Sequence, residues 1–239
     1  MSFADARILW RMLRGQPEAA THAARLTAFY APQAGHYDRF RERMLHGRSE
    51  LVGALAPADG EALVELGAGT GRNLAFLGQR LAGLRQAWLV DLCPPLLEHA
   101  RRRFAEQSQV VTVEADATLW QPPEPVDIVL CAYSLTMIPD WFAAIDNAYA
   151  MLRPGGRIGV VDFHVSRVHP APGHVRHGRL ARAVWPLWFG HDGVQPSADH
   201  LPYLERRFKP LHLSEHSGRL AWLPGVRVPY YQFIGGKPR

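Results

Sequence analysis

The residues of this 239-residue chain best suited to chemistry are acids at the ends of apolar runs. Ala62-Leu63-Val64-Glu65-Leu66 passes into Gly67-Ala68-Gly69-Thr70-Gly71-Arg72-Asn73, a glycine-rich turn after which Leu74, Leu77 and Leu81 recur at helical spacing. Strand, tight loop and helix N-terminus, in that order, bring backbone N–H groups close to a ligand. The stretch reads as a nucleotide-cofactor site. A dinucleotide fingerprint needs a third small residue where Arg72 stands. A carboxylate at Glu65, two residues ahead of Gly67, would repel phosphate and attract a cation. The expected cofactor therefore carries positive charge and no pyrophosphate. Ala87-Trp88-Leu89-Val90 ends at Asp91-Leu92, about twenty residues beyond Gly71, where an acid on a second strand tip reaches ribose hydroxyls. Val110-Val111-Thr112-Val113 leads to Glu114-Ala115-Asp116-Ala117, a third strand with an acidic end.

These positions resemble motif I and the following strand ends of the class I S-adenosylmethionine-dependent methyltransferases. Their cofactor bears an ammonium and a sulfonium and leaves as S-adenosylhomocysteine. The resemblance implies cofactor contacts at Glu65, Gly67, Ala68, Gly69, Asn73, Asp91, Leu92, Tyr133 and Ser134. It also implies that Asp116, followed by the small Ala117, bounds the adenine and accepts from its amino group. In many small-molecule members an N-terminal helix with a Tyr-Asp pair covers the cofactor. Tyr37-Asp38 matches, so the stretch carrying Tyr37, Arg41, Met44 and His46 is a candidate lid; the alternative is a solvated helix edge.

The elements that must hold these residues follow from periodicity. Residues 3–14, apolar with interspersed arginines, suit a terminal helix packed on its own domain or an amphipathic helix in a membrane interface. Helical patterns follow over about 17–30 and from near 33 towards 55. Pro94 and Pro95 sit where a first helical turn tolerates proline, with Leu96, Leu97, Ala100 and Phe104 on the buried side. Val126-Asp127-Ile128-Val129-Leu130-Cys131-Ala132 is the near-continuous apolar run of a central parallel strand. A helix is expected over about 140–152, stopped by Pro154-Gly155-Gly156, then a fifth strand over 157–163. Another helix begins at Ser197, and two last strands span roughly 209–217 and 226–234. The expected fold is α/β: a Rossmann-like, doubly wound sheet of about seven strands with the last antiparallel. Residues 1–56 would form N-terminal helices and lid, and 57–239 the cofactor-binding core, with a substrate-side insertion at 164–208.

The bulk composition narrows the classes. An apolar fraction of 47% supports a single well-packed α/β unit. No run of about eighteen apolar residues and no signal-peptide pattern occur, so the expectation is a cytoplasmic protein, peripheral at the inner membrane face if membrane-bound. Cys93 and Cys131 suit reduced core residues rather than a disulfide framework. Net charge is +5, and all but Lys209 and Lys237 of the 27 basic residues are arginine. That balance suits an anionic membrane or nucleic acid, or reflects genome composition. No zinc finger, recognition helix or RNA-binding strand signature accompanies it, so no nucleic acid is expected. The histidines show no compact ligand spacing, so no metal is expected. Between Asp162 and Asp192 there is no acid, while Arg167, Arg176, Arg179, Arg182 and then Trp185, Leu187, Trp188 and Phe189 occur. Basic and aromatic residues together suit an interfacial surface.

Six segments resemble a narrower family, the N-methyltransferases that make betaine lipids by trimethylating diacylglycerylhomoserine. They are Phe29-Tyr30-Ala31-Pro32-Gln33-Ala34, His36-Tyr37-Asp38-Arg39-Phe40-Arg41, Leu45-His46-Gly47-Arg48, Tyr133-Ser134-Leu135-Thr136-Met137-Ile138-Pro139, Val161-Asp162-Phe163 and Pro229-Tyr230-Tyr231. The resemblance implies a lipid substrate at a membrane surface and a separate aminocarboxypropyl transferase that makes it. Methyl transfer needs an uncharged amine in line with the S–CH₃ bond, and Tyr37, His46 and Tyr133 are the candidates to take its proton. Tyrosine faces attract quaternary ammonium groups, so Tyr30, Tyr37, Tyr133, Tyr230 and Tyr231 are a candidate aromatic cage. Arg41 or Arg43 could pair with the homoserine carboxylate.

Overall fold

The computed structural model describes residues 21–30, 42, 44–190, 193–220 and 225–239. Among the described residues the helices α1 (His22–Tyr30) and α2 (Arg48–Leu55) precede the sheet. Then come β1 (Ala62–Leu66), the short α3 (Arg72–Ala75), β2 (Gln86–Asp91), α4 (Pro94–Arg103), β3 (Val110–Glu114) and β4 (Val126–Ala132). α5 (Trp141–Met151), β5 (Leu152–Phe163), α6 (Arg179–Gly190), α7 (His200–Arg207), β6 (Lys209–Arg219) and β7 (Arg227–Gly236) complete the chain.

The seven strands form one sheet in the order β3-β2-β1-β4-β5-β7-β6. β1 to β5 run parallel, and β7 is antiparallel to both its neighbours. All five residues of β1 and all seven of β4 are buried, which explains why they are apolar apart from Glu65 and Asp127. Alternate residues serve opposite faces. Leu63, Ile128 and Val161 join the layer under α2, while Val64, Val129 and Val160 join the layer under α5 and α7. Because the chain reverses between β1 and β4, the carboxyl ends of the parallel strands leave a crevice there, the place where such sheets bind ligands.

Several boundaries differ from those the sequence suggests. The pattern running from 33 towards 55 is not one helix through to Leu55. Gly47 adopts φ +79, a left-handed turn that ends the preceding segment and lets α2 start at Arg48. Met44 is buried there in a turn, not on a helix face. Leu74, Leu77 and Leu81 are all buried, yet α3 is a single turn and a 3-10 segment, Gly78–Gly83, follows. β5 starts at Leu152 and carries Pro154-Gly155-Gly156 within its length, because Leu152 pairs with Val126 across an irregularity before Ile128. The helix expected from Ser197 starts at His200.

Candidate active site

A cavity of about 270 Å³ occupies the crevice. Its floor is the β1 loop (Gly67, Gly69), the ends of β2 and β3 (Asp91, Leu92, Cys93 and Ala115 to Thr118) and the segment after β4 (Tyr133, Ser134, Met137 to Asp140). Its roof is α1, through His22, Leu26 and Tyr30.

The β1 loop is set by close packing. Gly67 has φ +71, and a Cβ there would collide with the Ser134 side chain, so the loop after β1 lies directly on the loop after β4. The backbone N–H groups of Gly67 and Ala68 both donate to the Val90 carbonyl, at 2.9 and 3.0 Å, which fixes this loop against β2. Asp91 adds a second tie: its Oδ2 accepts from Gly69 N and its Oδ1 from Cys93 N, each at 2.8 Å. Each carboxylate oxygen retains a further lone pair for a ligand. Asp116 Oδ1 accepts from the backbone N and the hydroxyl of Thr118, at 2.8 and 2.7 Å, which shapes the tight turn after β3.

Glu65 lies beneath the loop with no exposed surface and does not itself line the cavity. Asn73 Nδ2 donates to its Oε1 at 2.7 Å, and Arg48 Nη1 donates in turn to Asn73 Oδ1 at 3.2 Å. Its Oε2 is buried without a partner. Burial pushes the carboxyl up to about 8, against the opposing pull of the Asn73 donation and the charges of Arg48 and Arg103, with Asp91 adding to the rise. An unpartnered buried carboxyl oxygen costs about 1–3 kcal/mol, and a cationic ligand group is the partner that would satisfy it.

Tyr133 is held in the left-handed region at φ +55. Its hydroxyl donates to the His46 carbonyl at 2.8 Å, and its ring lies 4.6 Å from that of Phe163. Burial raises its hydroxyl well above the usual value, so Tyr133 stays protonated. Ser134 Oγ is buried and unpartnered beside Gly67. Tyr30 reaches Met137, its hydroxyl 3.9 Å from Sδ.

The structure thus brings Gly67, Gly69, Asp91, Leu92, Asp116, Ala117, Tyr133, Ser134 and Tyr30 around one cavity, with Glu65, Ala68 and Asn73 immediately behind it. Tyr37, Arg41 and Arg43 lie outside the described residues. His46 does not line the cavity; its Nε2 lies 2.9 Å from the Arg219 carbonyl and its ring stacks on Tyr230 at 6.1 Å. Of the candidate cage tyrosines among the described residues, Tyr30 and Tyr133 line the cavity and Tyr230 and Tyr231 do not. Tyr230 packs between His46 and His216, its ring 5.1 Å from the latter. Tyr231 is fully buried on the opposite face of β7, against His164 at 5.3 Å. Strand alternation sends these neighbours to opposite faces, and neither lines the cavity. Sequence reasoning missed His22, Leu26, Cys93, Thr118 and Met137 as lining residues. His22, Leu26 and Tyr30 recur at i, i+4 and i+8, a helical face that was readable, but the surface it covers was not. Among the described residues no group of three ligating side chains could hold a metal.

Residues 63–156 match the family model for a methyltransferase domain. The chain is 26% identical over 213 residues to trans-aconitate 2-methyltransferase of Azoarcus sp. (strain BH72), covering 83% of this chain and 81% of that protein. The chain is an S-adenosylmethionine-dependent methyltransferase. It is also 31% identical over 144 residues to the demethylmenaquinone methyltransferase of Clavibacter sepedonicus, but spans only 58% of that relative's length. Its fold matches a putative Haloferax volcanii methyltransferase in complex with the activator Trm112, with a TM-score of 0.67 at 14% identity, covering 87% of this chain and 97% of that one. The N-methyltransferase NodS of Bradyrhizobium japonicum WM9, solved with S-adenosylhomocysteine, has a TM-score of 0.59 at 18% identity, covering 84% of this chain and 88% of that one. The residues of this methyltransferase fit its cofactor: an orphaned buried carboxyl oxygen at Glu65, a loop whose Gly67 leaves no room for a side chain, and acids at Asp91 and Asp116.

Proposed function

We propose that this methyltransferase N-methylates the amine of diacylglycerylhomoserine on the way to diacylglyceryl-trimethylhomoserine. The observation that carries this reading is a convergence. Four segments that resemble the betaine-lipid enzymes, far apart in sequence, meet behind Tyr133, which lines the cavity. Tyr133 donates to the His46 carbonyl at 2.8 Å, and the Tyr230 ring stacks on that of His46 at 6.1 Å. Thr136 donates its hydroxyl to Asp162 Oδ1 at 2.7 Å, and Phe163 packs on Tyr133. Contacts among these segments support the betaine-lipid reading better than motif I, which any member of the class carries.

Bound S-adenosylmethionine supplies an electrophilic methyl group on a sulfonium. The chain's own residues supply position and electrostatics. Glu65, with Asn73 and Arg48 behind it, would hold the donor's ammonium, Asp91 its ribose hydroxyls, and the Asp116–Ala117 turn its adenine. Tyr133 and Tyr30 present ring surface to the acceptor nitrogen as it gains methyl groups, worth about 0.5–2 kcal/mol per face for a cation. Tyr133 acts as a positioning group, since its proton is committed to the His46 carbonyl. The amine therefore sheds its proton before it is enclosed, and well-oriented reactants then account for about 7–11 kcal/mol of the barrier. A separate aminocarboxypropyl transferase would supply this substrate.

The similarity to trans-aconitate 2-methyltransferase favours a second reading, methylation of a carboxylate. Against it, the acids lining the cavity among the described residues are Asp91, Asp116 and Asp140, beside a His22 that burial keeps neutral, with no arginine or lysine to receive a polyanion. Purified protein incubated with methyl-labelled S-adenosylmethionine and, separately, diacylglycerylhomoserine, phosphatidylethanolamine, demethylmenaquinone and trans-aconitate discriminates the readings. Label on the homoserine nitrogen is expected; label on another acceptor with none on that nitrogen overturns the proposal.

A further inference from the structure

α6 carries apolar residues on both its buried and its exposed face. Trp185 and Phe189 are buried, and Phe189 stacks on Phe163 at 4.7 Å, which in turn packs on Tyr133 at the cavity wall. On the opposite side Leu180, Val184, Leu187 and Trp188, spaced i, i+4, i+7 and i+8, are exposed by 77%, 38%, 74% and 45%. A contiguous exposed apolar stripe on one helix marks an interaction surface, whereas scattered single residues do not. The segment leading into α6 is cationic in sequence, although Glu205 and Glu215 meet it at His174 and Val175 and Asp199 pairs with Arg167. No acid occurs between Asp162 and Asp192, Arg176 and Arg179 are exposed, and neither has an ion-pair partner among the described residues.

We propose that the outer face of α6 (Leu180, Val184, Leu187 and Trp188, flanked by Arg176 and Arg179) is the surface by which this methyltransferase docks on an anionic lipid bilayer. A protein partner would need complementary shape; a bilayer interface needs only what this helix offers, apolar side chains that enter the acyl boundary and arginines that meet anionic headgroups. No helix among the described residues is long and apolar enough to cross a membrane, so the attachment is interfacial. The two aromatic contacts Phe189–Phe163 and Phe163–Tyr133 connect this face to the cavity wall, so docking on α6 brings the cavity near the surface where a lipid acceptor resides. The purpose of the docking rests on the lipid-acceptor reading; the docking itself is read without any acceptor.

The test is co-sedimentation of the full chain with phosphatidylcholine vesicles, with and without phosphatidylglycerol, at low and high salt. Binding is expected to require phosphatidylglycerol and to weaken with salt. Leu180→Glu and Leu187→Glu are each expected to lower the partition coefficient about tenfold, and Arg179→Ala about fivefold. Leu211→Glu, the same change at a residue 59% exposed on β6, controls for charge and is expected to bind as wild type. Absence of vesicle binding by the wild type, or equal loss in the Leu211 control, overturns the proposal. So does a fall in oligomeric mass, or a rise in hydrogen exchange within residues 1–20, when Leu187 becomes Glu, because the face would then be covered by a second copy or by the chain itself. Undiminished vesicle binding with no label on any lipid would instead overturn the acceptor reading and leave this one standing.

Discussion

A carboxyl group buried as completely as that of Glu65 holds its proton to about pH 8 until a cation arrives. Burial dominates that shift, with Asp91 adding to it and Asn73, Arg48 and Arg103 opposing it. If the donor's ammonium is held by the ionised form, binding must release this proton. At pH 7 the expected release is close to one proton per donor bound, and affinity should strengthen about tenfold per pH unit as pH rises towards 8. Calorimetry in two buffers of different ionisation heat measures it. Glu65→Gln, which keeps the Asn73 contact but cannot ionise, should abolish the release and weaken binding by about tenfold or more. Unchanged release in that variant would assign the proton to another group.

At the scale of elements, the site depends on loops pressed together more than on any helix end. α3 is a single turn, and the β1 loop is held by Ser134 packed against Gly67 and by Asp91 bonded to Gly69. Gly67→Ala should therefore prevent measurable donor binding while leaving the cooperative unfolding transition in place, a pairing that calorimetry and circular dichroism read together. Gln232→Leu removes the donor that satisfies the buried Gly47 carbonyl across β7, and should cost about 1–3 kcal/mol in urea unfolding. Much at this scale was legible beforehand. β1, β2 and β4 announce themselves as mostly apolar runs because parallel strands covered on both faces admit few polar residues, Glu65 and Asp127 being the buried exceptions. Asp91 and Asp116 could be placed because spacing from a glycine loop is a local quantity. What could not be read was long-range. Pro154-Gly155-Gly156 looks like a stop and lies inside β5, since its role depends on Val126 opposite. Alternation says that Tyr230 and Tyr231 diverge, but not that neither of them lines the cavity. That α1 roofs the cavity is a packing outcome its own residues do not encode.

For the whole molecule, the far layer of the sheet carries a titration unrelated to the cofactor. His200 has no exposed surface, both ring nitrogens lack partners, and its ring meets Trp141 edge-on at 4.6 Å. Burial lowers it from 6.5 to about 3. The unfolded chain therefore takes up this proton first, so the stability His200 permits is full above pH 6.5 and is lost as pH falls towards 3. His200→Phe should escape that loss, gaining on the wild type by about 1.4 kcal/mol per pH unit within that window. Urea unfolding of both proteins at pH 7 and pH 5 measures the gain; equal differences at the two pH values would mean that His200 finds a partner when it is protonated.

The account as a whole turns on a cavity floored by Gly67, Gly69, Asp91 and Asp116 that holds a positively charged methyl donor over Glu65. A crystal structure of the protein grown with S-adenosylhomocysteine tests this most directly. The predicted result is the product in that cavity, its amino group directed to the β1 loop above Glu65 and its adenine against Asp116 and Ala117. A cavity left empty at saturating product, or filled instead by a pyrophosphate-bearing dinucleotide when both are offered, would contradict it.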